Sequence, residues 1–439
     1  MAALDLQHDR QLAERRDLLF FSIVLFWFLF DASNMSYWRA TSEATLLTYE
    51  RPFDRIEVAL TFGLQGLYLL ANLKLLWRMA MVFWPVIALA TLCPVSTLWS
   101  YDPPLSFTSG LSLVTTTGFI ATAVFRHSSE QVIQRMTVIM TVLVAINLVS
   151  LLVPSLSFMT AEHRGAFRGW TNHKNTFGPL LALHIGLLLV QCTNRDFASR
   201  TRLLFLALMP IELAALALTQ SSNALIGVVV VLVLFTGGNV LKRASRGVWT
   251  LVWVIGATLL VLTLQFASID DLFALVGRES NLTGRTQIWE LALRFADQRF
   301  VLGWGYKALP LTELLSTVPR ADGGARFIVG STHNSYIEIY AGLGLIGCCA
   351  YVAAMTWLAG RNWLRPKEPY RRLGFLVLGA YLTMGYAEST MGLHAGVGYC
   401  LLLACMLPSV IKRQPAFLIR PSTASPLQEF GPSFDRVNT

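Results

Sequence analysis

The chain has 439 residues, 54% of them hydrophobic and only 14% charged, where soluble domains carry about 25% charged residues. Its mean hydropathy of +0.53 excludes an ordinary water-soluble globule. The net charge of +9 invites a nucleic-acid reading, but Lys and Arg sit between apolar runs, where membrane proteins carry topology signals, so no nucleic-acid partner is expected.

A helix needs about 20 apolar residues to cross a bilayer core, and within lipid each segment must satisfy its own backbone hydrogen bonds. The chain is therefore predicted to be all-α, a polytopic integral membrane protein with about twelve transmembrane helices. Residues 1–17 form a short N-terminal segment. The first span, Leu18–Phe30, follows Arg15 and Arg16 as the apolar region of a signal peptide does, but no A-x-A site follows it, and it reads as a retained helix. Eight further spans complete residues 18–266: Glu57–Leu76, Met79–Leu98, Leu105–Phe125, Met136–Phe158, Thr176–Cys192, Leu203–Thr219, Ala224–Gly238 and Val248–Phe266. A long loop occupies 267–334, in which Ile288, Leu291, Ala292 and Phe295 fall on one helical face. The last three spans, Ser335–Leu358, Leu373–Ser389 and Leu393–Val410, lie within 335–411, and the polar, Pro- and Ser-rich tail 412–439 is expected to be disordered.

With the N-terminus inside and the spans alternating, 22 of the 35 basic residues fall on inside segments. That bias predicts both termini cytoplasmic and the long loop outside, with the lipid bilayer as the protein's surroundings. The six cysteines lie in or beside apolar runs without metal-ligand spacing and read as small core residues. Gly342, Gly344 and Gly347 match a dinucleotide-binding spacing, but they sit in a span with no preceding strand and read as small-residue helix packing. Asp270 and Asp271 have no supporting ligand cluster, so neither a metal nor another cofactor is expected.

Two outside clusters carry chemistry. One contains Arg164, Arg168, His173, Lys174 and Asn175, directly before the span that starts at Thr176. The other comprises Gly284, Arg285 and Trp289, then Trp304 and Tyr306, then His333, Asn334 and Glu338 running into the next span. Cations concentrated outside run against the topology bias. Either they anchor lipid headgroups or they form an anion site, for which the planar Arg fork suits phosphate oxygens. His333 is the leading general-base candidate, although His173 remains open for that role. Glu338, an acid inside a span, is a functional hypothesis as orienter of the imidazole or binder of sugar hydroxyls. Trp289, Trp304 and Tyr306 either stack on sugars or pack the loop. Glu212 lies alone in the Leu203–Thr219 span and either pairs with a buried polar group or marks a pathway; on it rests the reading as a transporter or flippase.

These clusters, in this order, resemble the O-antigen ligase and polymerase superfamily of bacterial envelopes, with its WaaL ligases, Wzy polymerases and ExoQ-like polymerases. The carriers are Gly284-Arg285…Trp289 and His333-Asn334…Gly342-Leu343-Gly344-Leu345-Ile346-Gly347, while Asn172-His173-Lys174-Asn175-Thr176-Phe177-Gly178 looks closest to the ExoQ-like branch. The resemblance implies a metal-independent glycosyltransferase in the inner membrane with a periplasmic site and no nucleotide sugar. It implies an undecaprenyl-diphosphate-linked glycan as donor, a glycan hydroxyl as acceptor, and chain-length or export proteins as further partners. His333 takes the place of the family's loop His and Arg285 that of its loop Arg. A further family Arg normally follows a Ser near a span start, but Thr219-Gln220-Ser221-Ser222-Asn223-Ala224 has none. Arg164, Arg168 or Lys174 is expected to substitute. Polymerisation of repeat units is the leading expectation, and ligation onto lipid A core or protein the alternative.

Overall fold

The computed structural model describes residues 2–33, 54–159, 165–194, 198–240, 285–309, 331–364 and 370–411. The predicted span Val248–Phe266, the loop residues 267–284 and 310–330, Arg164 and the tail 412–439 lie outside the described residues. Among the described residues the fold is helical, with one isolated antiparallel bridge between Phe158 and Phe167.

In chain order the helices are α1 (Ala2–Ala32), α2 (Asp54–Ala71), α3 (Leu73–Val82), α4 (Trp84–Val95), α5 (Pro103–Arg126), α6 (Ser129–Val149) and α7 (Lys174–Gln191). They continue with α8 (Ser199–Thr219), α9 (Ser222–Val240), α10 (Arg285–Asp297), α11 (Ser335–Trp363), α12 (Arg371–Met384) and α13 (Val397–Met406). Their starts follow local chemistry. Asp102 caps α5 by accepting from the Leu105 amide, ahead of Pro103, and Ser128 with Gln131 forms a capping box on α6. Among the described residues four helical stretches, 103–126, 129–152, 199–219 and 335–363, are long and apolar enough to cross a bilayer by themselves. The other predicted spans that fall on described residues coincide with helices that do not meet that criterion by themselves. The one over Glu57–Leu76 is broken: α2 and α3 meet at 93°. The cause sits at the joint, where the buried Asn72 carboxamide donates to the Tyr68 carbonyl at 2.9 Å and competes with the helical ladder.

The bundle has two distinguishable ends. At one, Asp17 of α1 pairs with Arg126 and, at 3.0 Å, with His127, which also meets the Tyr68 hydroxyl at 3.3 Å. The other end holds the start of α5 and the 299–306 segment: Trp99 Nε1 donates to Leu302 O at 2.8 Å, Tyr101 N to Trp304 O at 2.8 Å, and Ser106 Oγ to Tyr306 O at 2.8 Å. Helices α7, α9 and α11 begin at this second end, and α8 and α12 finish there, joined by Phe167 N to Leu218 O (2.8 Å), Asn223 Nδ2 to Met384 O (3.0 Å) and Ser335 N to Gly385 O (2.8 Å).

Lipid removes the hydrophobic drive between helices, so close packing and internal polar pairs hold the bundle. Gly178 of α7 lies where an added Cβ would stand 2.9 Å from Ala224 of α9 and from Ser221 in the turn before it, and Gly227 of α9 is pressed against Met384 of α12. The Glu212 carboxylate of α8 is buried and meets His184 Nδ1 of α7 at 2.9 Å; His184 Nε2 reaches Thr141 of α6 at 3.0 Å. The structure thus gives Glu212 a partner inside the helices.

Candidate active site

The site is organised by the turn that starts α11. Asn334 caps the helix, its side chain accepting from the amides of Tyr336 (3.0 Å) and Ile337 (3.2 Å). Thr332 Oγ1 donates to Asn334 O at 2.9 Å, and Ser331 Oγ accepts from His333 N at 3.2 Å. Between them His333 has φ 52°, a left-handed conformation uncommon outside glycine that costs about 1–3 kcal/mol and persists only where neighbours enforce it. Its imidazole remains 39% exposed.

Two side chains pin this turn. Trp289 of α10 donates its indole N–H to Thr332 O at 2.8 Å. Glu338, one turn into α11, accepts from Thr332 N at 3.2 Å with one oxygen and from Lys307 Nζ at 3.0 Å with the other. Glu338 therefore holds the backbone beside His333, while its ion pair brings Lys307 into the site. Lys307 does not stand out in the sequence, where it is one of several loop cations.

Lys307 is positioned by an unusual joint. Helix α11 is broken at Gly344 (φ 63°, ψ −161°), a conformation essentially restricted to glycine. The segment after α10 inserts its backbone there: Leu345 N donates to Phe300 O (2.7 Å), Trp304 N to Ala341 O (2.8 Å) and Gly305 N to Gly342 O (2.9 Å). A Cβ on Gly344 would stand 2.3 Å from Val301 O, and one on Gly303 2.5 Å from the Gly342 carbonyl carbon. The glycine series of α11 thus admits a loop backbone, which corrects the helix-packing expectation. Helix α10 docks alongside with Ile288 and Ala292 buried against Leu309 and Ile337, the face expected from spacing. Trp304 donates to Phe295 O at 2.8 Å and lies beneath the Arg299 guanidinium at 4.3 Å. Tyr306 is buried, with its hydroxyl donating to Leu393 O at 2.6 Å.

Facing this turn is Glu388, in the segment between α12 and α13. Its Oε1 stands 3.9 Å from His333 Nδ1, beyond hydrogen-bond length but close enough for direct charge attraction. Ser335 Oγ donates to Glu388 O at 2.6 Å and Ser389 Oγ to Ser331 Oγ at 3.0 Å, tying the two segments together. The sequence reading absorbed Glu388 into the end of a span; an acid at the outer end of an apolar run was the signal available.

The first basic cluster reaches the same segment from the other side. Arg168 is buried, its Nη1 donating to Asn172 O at 3.3 Å. His173 caps α7, Nδ1 accepting from the Asn175 amide at 3.1 Å, so one ring nitrogen is committed to the helix start. Asn175 accepts from Ser221 Oγ at 3.2 Å, and Lys174 Nζ donates to Gln220 O at 3.4 Å. The Lys174 ammonium thus stands on the turn that lacks the family Arg, and Asn223 links that turn to Met384, four residues before Glu388. Arg285 opens α10; its side chain lies outside the described positions.

A cavity of about 60 Å³ beside Glu338 is lined by Lys307, Ser335, Ser389, Tyr306 and Leu393. Among the described residues no cluster of three or more His, Cys, Asp or Glu has metal-ligand placement.

Residues 203–352 match the family model described as O-Antigen ligase. The match spans His333, Glu338, Lys307 and Arg285 and ends before Glu388. No curated protein matches the chain. The apolar helices and this match over 203–352 support an integral membrane protein that contains a domain of the O-antigen ligase type.

Proposed function

We propose that the protein polymerises polysaccharide repeat units, transferring a glycan from undecaprenyl diphosphate to a sugar hydroxyl on the periplasmic face of the bacterial inner membrane. The observation that carries this reading is the convergence of His333, Glu388 and the Lys174 turn on one segment at one end of the bundle. In the reaction His333 removes the acceptor hydroxyl proton as that oxygen bonds to the anomeric carbon. The bond from that carbon to the diphosphate oxygen breaks, and the lipid diphosphate departs with its electrons. Glu388 stabilises the imidazolium, and Lys174 with Arg285 stabilises the departing anion. The remaining barrier is lowered by alignment of donor and acceptor. Cations near the leaving group supply the charge stabilisation without a metal.

The topology that goes with this reading has about twelve spans, cytoplasmic termini and export or chain-length proteins nearby. The ExoQ-like resemblance of Asn172–Gly178 favours polymerisation over ligation. Deletion of the gene tests it: accumulation of single repeats on the lipid carrier supports a polymerase, whereas full-length polymer left on the carrier identifies a ligase.

A further inference from the structure

Helix α3 has a distribution of side chains that the glycosyl-transfer site does not use. It leaves α2 at 93°, so if α2 runs across the bilayer, α3 lies along its surface. Leu73, Trp77 and Met81 recur at every fourth residue and are 57%, 75% and 59% exposed. Lys74 and Arg78, also exposed, follow each of the first two by one residue. At 100° per residue the apolar stripe and the basic stripe are adjacent flanks of one helix. Met79, on the remaining side, is buried against the bundle. Trp84, 63% exposed, extends the aromatic edge. No acidic residue occurs between Ala71 and Trp84, so the cations have no local counter-charge on this stretch.

We propose that α3 lies in the headgroup plane of the leaflet remote from His333 and binds anionic phospholipid through Lys74 and Arg78. The bend puts the helix at the surface, the exposed stripe enters the acyl boundary, and Trp77 takes the interfacial depth that indole rings favour. The basic flank then faces headgroup phosphates. Its place is set by the bundle: α3 joins Tyr68 and Phe83, at the end that holds Asp17 and His127, whereas α4 and its continuation lead from there to Trp99 beside Leu302. This surface is independent of the transfer reaction and stands whichever glycan is the substrate.

The test uses the full chain reconstituted in phosphatidylcholine vesicles, with spin-labelled phosphatidylglycerol and phosphatidylcholine compared at the protein boundary. The wild type should select phosphatidylglycerol. Each cation near an anionic surface contributes about fivefold in affinity, so Lys74→Gln/Arg78→Gln should lose most of that selection. Lys74→Arg/Arg78→Lys keeps both charges and should retain it, with all three proteins showing the same melting temperature. Equal selection by wild type and Lys74→Gln/Arg78→Gln overturns the proposal, and it is also the result expected if the face seats a partner protein instead.

Discussion

Replacing Gly344 with Ala tests the joint on which the site is built. The residue has φ 63° and ψ −161°, and placing a side chain in that conformation costs about 1–3 kcal/mol. The new Cβ would stand 2.3 Å from Val301 O, whereas ordinary contact begins at 3.4 Å, so the inserted segment must retreat by about 1.1 Å. That displacement breaks at least the Leu345–Phe300 hydrogen bond, 2.7 Å long, and stretches the 3.3 Å bond from Ile346 N to Val301 O. At about 1 kcal/mol each, the total loss is roughly 2–5 kcal/mol. Gly360, on the same helix, is the internal control. A Cβ there meets nothing within 4 Å, and Gly→Ala in a helix interior is favourable by up to about 1 kcal/mol. Thermal unfolding of the purified full chain in one detergent should therefore move in opposite directions for the two variants. Transfer activity should fall only in Gly344→Ala, because Lys307 and then Glu338 depend on the inserted segment. An unfolding midpoint for Gly344→Ala equal to that of the wild type would refute the reasoning.

Lys174→Met should raise the KM for a lipid-linked donor about tenfold, as expected for loss of a charge-assisted contact, and an unchanged KM would remove Lys174 from the donor site. Arg285→Lys should impair turnover much more than Arg294→Lys on the same helix, because Lys lacks the planar fork; equal effects argue against a diphosphate clamp by Arg285. Glu212→Ala removes the carboxylate that meets His184 Nδ1 at a fully buried position and should lower stability by about 1–3 kcal/mol, the cost of one unsatisfied buried polar atom, while transfer per folded molecule persists. A stable Glu212→Ala protein without activity, set beside an active His333→Ala protein, would favour transport instead.

The helical character of the chain was legible because long apolar runs admit little else in lipid, and α10 was visible from the spacing of Ile288 and Ala292. What the runs could not show was where a helix breaks. Asn72 interrupts an apolar stretch with a single polar side chain, and the effect depends on the Tyr68 carbonyl it finds. Gly344 looks like any small residue in a span, and its backbone conformation is set by residues some forty positions earlier. The same limit applies to the site. His333 and Glu338 are neighbours in sequence, and their proximity could be read from spacing. Lys307 and Glu388 reach them only through the fold, from the loop before and the helix pair after. Glu212 stood out as a lone acid, but its partner His184 lies on another helix and carried no local signal.

His333, its imidazolium stabilised by Glu388, is proposed to activate the acceptor. The direct measurement is turnover of purified wild type, His333→Ala and Glu388→Gln on a lipid-linked oligosaccharide, with product length and donor binding read in the same preparation. The account predicts no extended product from His333→Ala, a reduced kcat for Glu388→Gln, and wild-type donor binding in both. Extended product at the wild-type rate from His333→Ala, or loss of donor binding together with activity, would contradict it.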